Sequence, residues 1–204
     1  MDISNFFRMR IRLDNTSYVQ VTDDQLLNVG EDQMLAGDYS DVDLPLWFRR
    51  KYGRKWGDLV GTGWLSLYLI SDRLKTALED NRLSGWQTFQ VEVIEKGRTK
   101  INGYHGLSIL GRCGPTDFSK SQIINKQLVA GGPMVRHVKG LHVGLDKWDG
   151  KDLFLPDGSK SIIITNKAAT ALKDGNFENL ELTNLADIEI PGCAGTLDTD
   201  GLLR

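Results

Sequence analysis

The sequence predicts an α+β protein built on a mixed sheet that carries two pseudo-repeated strand–helix–strand units. Three observations support this. The run FFRMRIRL alternates apolar and basic residues, the two-residue period of a half-buried strand. Apolar runs of strand length lead directly into Ser71 and Thr165, good N-caps for the amphipathic stretches that follow. The segments around 58–94 and 152–188 also align without a gap, pairing Asp58-Leu59 with Asp152-Leu153, Ile70 with Ile164, Thr76-Ala77-Leu78 with Thr170-Ala171-Leu172, and Asp80 with Asp174. Two strand–cap–helix segments share some of this grammar by necessity. The agreement reaches back into the preceding Asp-Leu, which favours duplication within a single compact domain over 1–204. A chain of 204 residues, 40% hydrophobic and 25% charged, has enough apolar surface to build such a core.

At the N-terminus, Phe7, Met9, Ile11 and Leu13 form the expected buried face, with Arg8, Arg10 and Arg12 opposite. Asn15 and Thr16 offer a turn into a second strand at Tyr18, Val19 and Val21. From Asp23 to Asp43 there are seven acids (Asp23, Asp24, Glu31, Asp32, Asp38, Asp41, Asp43) and no Lys or Arg. WFRRKYGRKW, residues 47–56, then interleaves five cations with four aromatics. In the first unit, 67–70 reads as a strand and 72–81 as a helix with Leu74, Ala77 and Leu78 on its apolar face. Residues 86–94 alternate as a strand, Lys96-Gly97-Arg98 suits a hairpin tip, and 101–110 returns. GRCGPTDF reads as a tight loop, and Gly131-Gly132-Pro133 as a break before extended structure through Val135, Val138, Leu141 and Val143. The second unit follows, with a strand at 162–164, a helix at 166–174 stopped by Gly175, and extended structure over 180–190. The tail from Pro191 reads as small, polar and loose.

Few classes of chemistry fit these residues. His137 and His142 are five apart, which suits neither a helix face nor alternate strand positions, and neither CxxC nor HExxH occurs; no metal is expected. GxSxG, GxxxxGK[ST] and GxGxxG are absent, so neither a serine elbow nor a phosphate loop is expected, and no cofactor. Cys113 beside Arg112 is the one candidate nucleophile, with His105 or His137 as base, though a small residue in a turn is the commoner role. No catalytic residue is assigned. The basic–aromatic block has the chemistry of a single-strand contact, but the net charge of −2 and the acids preceding it favour intramolecular pairing or a solvated helix, and nucleic acid is not expected as a partner. Arg8, Arg10 and Arg12 interrupt any leader-like apolar run, and the longest apolar runs are strand-sized. With only Cys113 and Cys193, the expectation is a cytoplasmic protein without membrane contact.

GDYSDVDLPLWF combines acids with aromatic anchors, so Asp38, Asp41, Asp43 and Trp47 are the candidate partner-binding residues, weighed against a plain flexible loop. A competing expectation is a small-molecule or enzymatic site in the cleft between the units, flanked by Asp58 and Asp152.

The stretch LYLISDRLKTALEDNRLSGWQTFQVEV, residues 67–93, resembles a family of bacterial immunity proteins from polymorphic toxin systems, with myxobacterial members and once described only as a domain of unknown function. The family's last strand there often carries a proline, and Gln90 stands near that place. The resemblance implies a small cytoplasmic antidote that binds and blocks a cognate protein toxin without chemistry of its own. It transfers no functional residue.

Overall fold

A computed structural model describes residues 2–13, 16–23, 30–95, 99–127 and 129–191. Asn15, Asp24, the tip at 96–98, Cys193 and the tail from 192 onward lie outside the described residues.

The described chain is sheet-rich, with three α-helices, α1 (Glu31–Ala36), α2 (Asp72–Asp80) and α3 (Asn166–Asp174), and three sheets in place of the single one expected. A six-stranded sheet runs in the order Val143–Gly144, Gly111–Thr116, Leu153–Pro156, Ile162–Thr165, Phe6–Ile11, Leu180–Asn184. An eight-stranded sheet runs Trp86–Phe89, Tyr104–Ile109, Tyr68–Ser71, Leu59–Gly61, Gln20–Asp23, Leu46–Tyr52, Val91–Ile94, Lys100–Ile101. Both are mixed. Gly111–Thr116 lies parallel to Leu153–Pro156 in the first, and Leu46–Tyr52 parallel to Val91–Ile94 in the second. The third is an antiparallel ribbon of Gln122–Gln127, Met134–Lys139 and Glu189–Pro191.

Periodicity accounts for most of these elements. Phe7, Met9 and Ile11 are buried on one face of the first strand, as the alternation requires. Ile162, Ile163 and Ile164 are all buried, which is why that strand reads as an unbroken apolar run between two neighbours. Helices α2 and α3 start where the caps fall: Ser71 Oγ accepts from Leu74 N at 3.1 Å, and Thr165 Oγ1 from Ala168 N at 3.3 Å. Helix α2 buries Leu74 and Leu78, and α3 buries Ala168, Ala169 and Leu172, in one apolar cluster containing both Ile70 and Ile164.

Five expectations need correction. GRCGPT is a strand, Gly111–Thr116; its glycines allow neighbouring backbones to approach closely, since a Cβ on Gly111 would meet the Leu153 carbonyl and one on Gly144 would sit 2.7 Å from Gly114 Cα. The basic–aromatic block forms the strand Leu46–Tyr52 and no helix, with Leu46 and Phe48 inside and Trp47 and Arg49 outside. The strand expected at 86–94 divides at Gln90, whose carbonyl accepts from Leu46 N at 3.1 Å; Trp86–Phe89 pairs with Tyr104–Ile109, and Val91–Ile94 with Leu46–Tyr52. Extended structure after Leu180 breaks at Asn184, whose side chain accepts from Ala186 N at 2.9 Å and caps a 3-10 turn, Leu185–Asp187, before resuming as the strand Glu189–Pro191. Leu13, expected inside, is 66% exposed beyond the strand end.

Candidate functional site

The acidic–aromatic segment joins α1 to the strand Leu46–Tyr52. Helix α1 closes on Gly37, at φ +78°, whose N–H reaches the carbonyls of Gln33 and Met34. Tyr39 then turns inward, its hydroxyl 2.7 Å from Ser108 Oγ and accepting from Gln87 Nε2 at 3.1 Å. Val42 packs on the core as well. With Tyr39 and Val42 drawn inward, Asp38, Asp41 and Asp43 are left exposed. Asp38 Oδ1 accepts from Ser40 N at 3.1 Å and Ser40 Oγ at 2.7 Å, which holds its carboxyl below the usual range. Trp47 follows on the outward face of its strand, 47% exposed between buried Leu46 and Phe48.

The joint between the two strand–helix–strand segments is polar. Asp58 Oδ1 accepts from Ser71 Oγ at 2.7 Å and Arg73 Nε at 3.1 Å; its Oδ2 accepts from Arg73 Nη2 and from Glu178 N at 2.8 Å. Burial would raise the Asp58 pKa, but the Arg73, Ser71 and Glu178 hydrogen bonds together outweigh it and the pKa falls. Asp152 is held in a related way. Its Oδ2 accepts from Ser84 N and Ser84 Oγ, both at 2.9 Å, its Oδ1 from Thr165 Oγ1 at 3.1 Å, and Lys167 Nζ stands 3.5 Å off. Here too burial would raise the pKa, but the Ser84 and Thr165 hydrogen bonds and nearby Lys167 outweigh it and the pKa falls.

A groove of 460 Å³ opens beside Asp58, lined among others by Arg12, Trp56, Arg73, Tyr104 and Glu178. Asp152 is not among its lining residues, so this groove is not flanked by both aspartates. Tyr104 donates to the Gly57 carbonyl at 2.9 Å; burial, then Asp58 and Glu178, push its phenol up to about 12. The Arg73 guanidinium lies over the Phe177 ring, 4.5 Å from its centre.

Cys113 is 2% exposed, and burial, with Asp157 and Asp149 adding to it, pushes the thiol up to about 12. Arg112 does not activate it, because its Nη1 is committed to the carbonyls of Ile109 at 2.5 Å and Gly111 at 2.8 Å. His105 pairs with Asp72 at 2.7 Å, while His137 is buried with both ring nitrogens unpartnered. In the basic block, Arg50 pairs with Glu95 and Lys55 with Glu178, each at 2.7 Å. Among the described residues no three His, Cys, Asp or Glu side chains are grouped to hold a metal ion, and no helix is long and apolar enough to cross a membrane.

Taken together these features describe a sheet-rich scaffold in which Asp58 and Asp152 brace the fold while Asp38, Asp41, Asp43 and Trp47 face outward. A protein-family model described as "Immunity protein family (Imm11)" matches residues 6–187, and the chain belongs to that family. Membership points to a toxin-immunity role and, in general terms, to a protein partner. No curated protein matches the chain.

Two features eluded the sequence. The ribbon strand Gln122–Gln127 is polar and mostly exposed, so it carries no apolar alternation to betray it. Arg8, placed on a solvated face by the alternation, is half-buried, with Nε enclosed and unpartnered.

Proposed function

We propose that this chain is a cytoplasmic antidote that binds a cognate bacterial toxin and neutralises it by occupying its surface, with no chemistry of its own. The observation that carries the reading is the family match across residues 6–187. Asp38, Asp41 and Asp43 steer a basic partner surface, and Trp47 anchors it. Outward acids on a segment pinned by Tyr39 and Val42 support that assignment, because a held loop loses less entropy on binding than a loose one. The chain acts as one domain that arose by duplication of a strand–helix–strand unit. The shared apolar cluster and the similar bracing of Asp58 and Asp152 support this.

The groove beside Asp58 favours a second reading, a small-molecule or enzymatic site. Its polar groups weigh against acid–base work, since Asp58 is held ionised by its hydrogen bonds and Tyr104 is far from titrating near neutrality.

The test is capture by tagged protein from its own host, followed by co-expression of whatever is captured. Recovery of a protein that arrests growth alone, and not with this chain, is the expected result. Recovery of a bound metabolite with no protein would favour the groove.

A further inference from the structure

A second cleft lies between the first strand, the segment around Leu65 and the turn before Ile162. It encloses 460 Å³ and is lined by Arg8, Arg10, Leu13, Leu65, Tyr68 and Lys160 among others. Three cations therefore face one cleft, and two are already neutralised. Arg10 Nη2 lies 2.6 Å from Glu181, and Lys160 Nζ lies 2.6 Å from Glu31 and 3.3 Å from Asp32. Arg8 has no carboxylate paired with it among the described residues, and its Nε is shut away from solvent without a hydrogen-bond partner.

An enclosed guanidinium N–H without an acceptor is costly, because the water it gave up has not been replaced. Burial, and then the nearby charge of Arg10, pull the Arg8 pKa down, which has the same origin. The rim adds the second observation. Leu65 is 77% exposed and Leu13 66%, among the most exposed large apolar side chains of the described residues. One exposed leucine is ordinary; two beside a half-buried, unpaired cation make an amphipathic receptor.

We propose that this cleft is an anchor site for the protein partner, taking an acidic side chain of that partner against Arg8 while an adjacent apolar side chain packs on Leu13 and Leu65. The inference rests on the reading that the chain has a protein partner, and it adds a contact of opposite charge to the acidic segment. An acidic residue next to an apolar one fits better than a bare anion, since the leucines give a bare anion nothing to contact. A carboxylate can accept from the two terminal nitrogens of the Arg8 guanidinium in a paired geometry, and excluding water around that pair strengthens it.

The test uses the full chain and short peptides, so it needs no toxin. Isotope-labelled protein is titrated with acetyl-Leu-Glu-Leu-amide and with its neutral isostere acetyl-Leu-Gln-Leu-amide, following the Arg8 Nε–Hε resonance and the Leu13 and Leu65 methyls by NMR. The expected result is saturable movement of all three with the Glu peptide, at a dissociation constant on the order of millimolar, and binding about tenfold weaker or more with the Gln peptide. Leu65→Asp, at a position too exposed to matter for folding, weakens the Glu peptide about tenfold or more through lost apolar contact and like-charge repulsion. Equal binding of the two peptides, absence of movement at Arg8, or inorganic phosphate moving Arg8 as far as the Glu peptide does would overturn the proposal. So would self-association of the chain that Leu65→Asp abolishes, which would make a second copy the occupant. Failure here leaves the antidote reading to the capture experiment, because the peptides test the cleft alone.

Discussion

The Asp58 carboxylate accepts a hydrogen bond from the backbone N–H of Glu178, 120 residues further along the chain, at 2.8 Å. The contact has a counterpart in the other direction: Asp152 accepts from the backbone N–H of Ser84 at 2.9 Å. Each carboxylate also holds the hydroxyl that caps its own helix, Ser71 or Thr165. Each acid thus ties its own helix start to the exit of the other segment. The exits are alike in backbone, with Arg82 and Asn176 at φ +49° and +45°, and Gly85 and Asn179 at +88° and +62°. These crossed ties make two predictions about the scaffold.

Removing either acid leaves a hydroxyl, a backbone N–H and a cation without their acceptor. Asp58→Ala and Asp152→Ala should each cost about 2–4 kcal/mol in denaturant unfolding, a range that allows for the exposure of Arg73 and Lys167. Ser71→Ala and Thr165→Ala should each cost about 1 kcal/mol. A loss below about 0.5 kcal/mol for either acid would mean that its ties do not stabilise the joint.

Acid should weaken the same joint. The folded pKa of both Asp58 and Asp152 lies below the ordinary value of 3.8, so the folded state binds their protons less readily than the unfolded chain does. Their contribution is complete above the unfolded pKa and is lost as pH falls through the folded one. Melting temperature should therefore drop on acidification below about pH 4, and the drop should be shallower in Asp58→Asn.

Cys113 should be inert. With its thiol buried and pushed up to about 12, alkylation at neutral pH should be slower than for a free thiol and should speed up only under denaturant. Rapid labelling of the native protein would revive the nucleophile reading.

Gly111→Ala should destabilise by about 2 kcal/mol or more, because its Cβ would meet the backbone carbonyl of Leu153 rather than a side chain able to move. Unchanged stability would show that the strands can separate at that point.

The sequence revealed what local physics controls. Both long helices start at capping hydroxyls that announce themselves, and the Ile162 to Ile164 run could only be buried. It misled where one residue type serves two purposes. Glycines in GRCG suit a turn and equally a crowded strand, and only the neighbouring Leu153 backbone decides. The edge strand Gln122–Gln127 has little apolar pattern because little of it is buried. Arg8 looked like Arg10 and Arg12, since the turn that brings Gly158 to Ile162 against it lies some 150 residues away. Of the candidate site, the sequence offered Asp38, Asp41, Asp43 and Trp47; the inward turn of Tyr39 that helps hold this segment depends on distant Ser108 and Gln87.

On the proposed surface, Asp38, Asp41 and Asp43 changed together to Asn should slow association, an effect that fades as salt rises. Trp47→Ala should instead speed dissociation and cost about 2 kcal/mol or more of binding. Since Trp47 is 47% exposed, thermal melts should show much less change than the binding assay. If all four substitutions leave binding and protection intact, the interface lies elsewhere.

The most direct measurement is a titration of the captured toxin's activity with this chain, with intact-mass analysis of the toxin afterwards. A stoichiometric antidote predicts a linear loss of activity ending at equimolar chain, a stable complex, and a toxin of unchanged mass. Inactivation by a small fraction of an equivalent, or a toxin recovered with altered mass, would contradict the account and establish this chain as an enzyme.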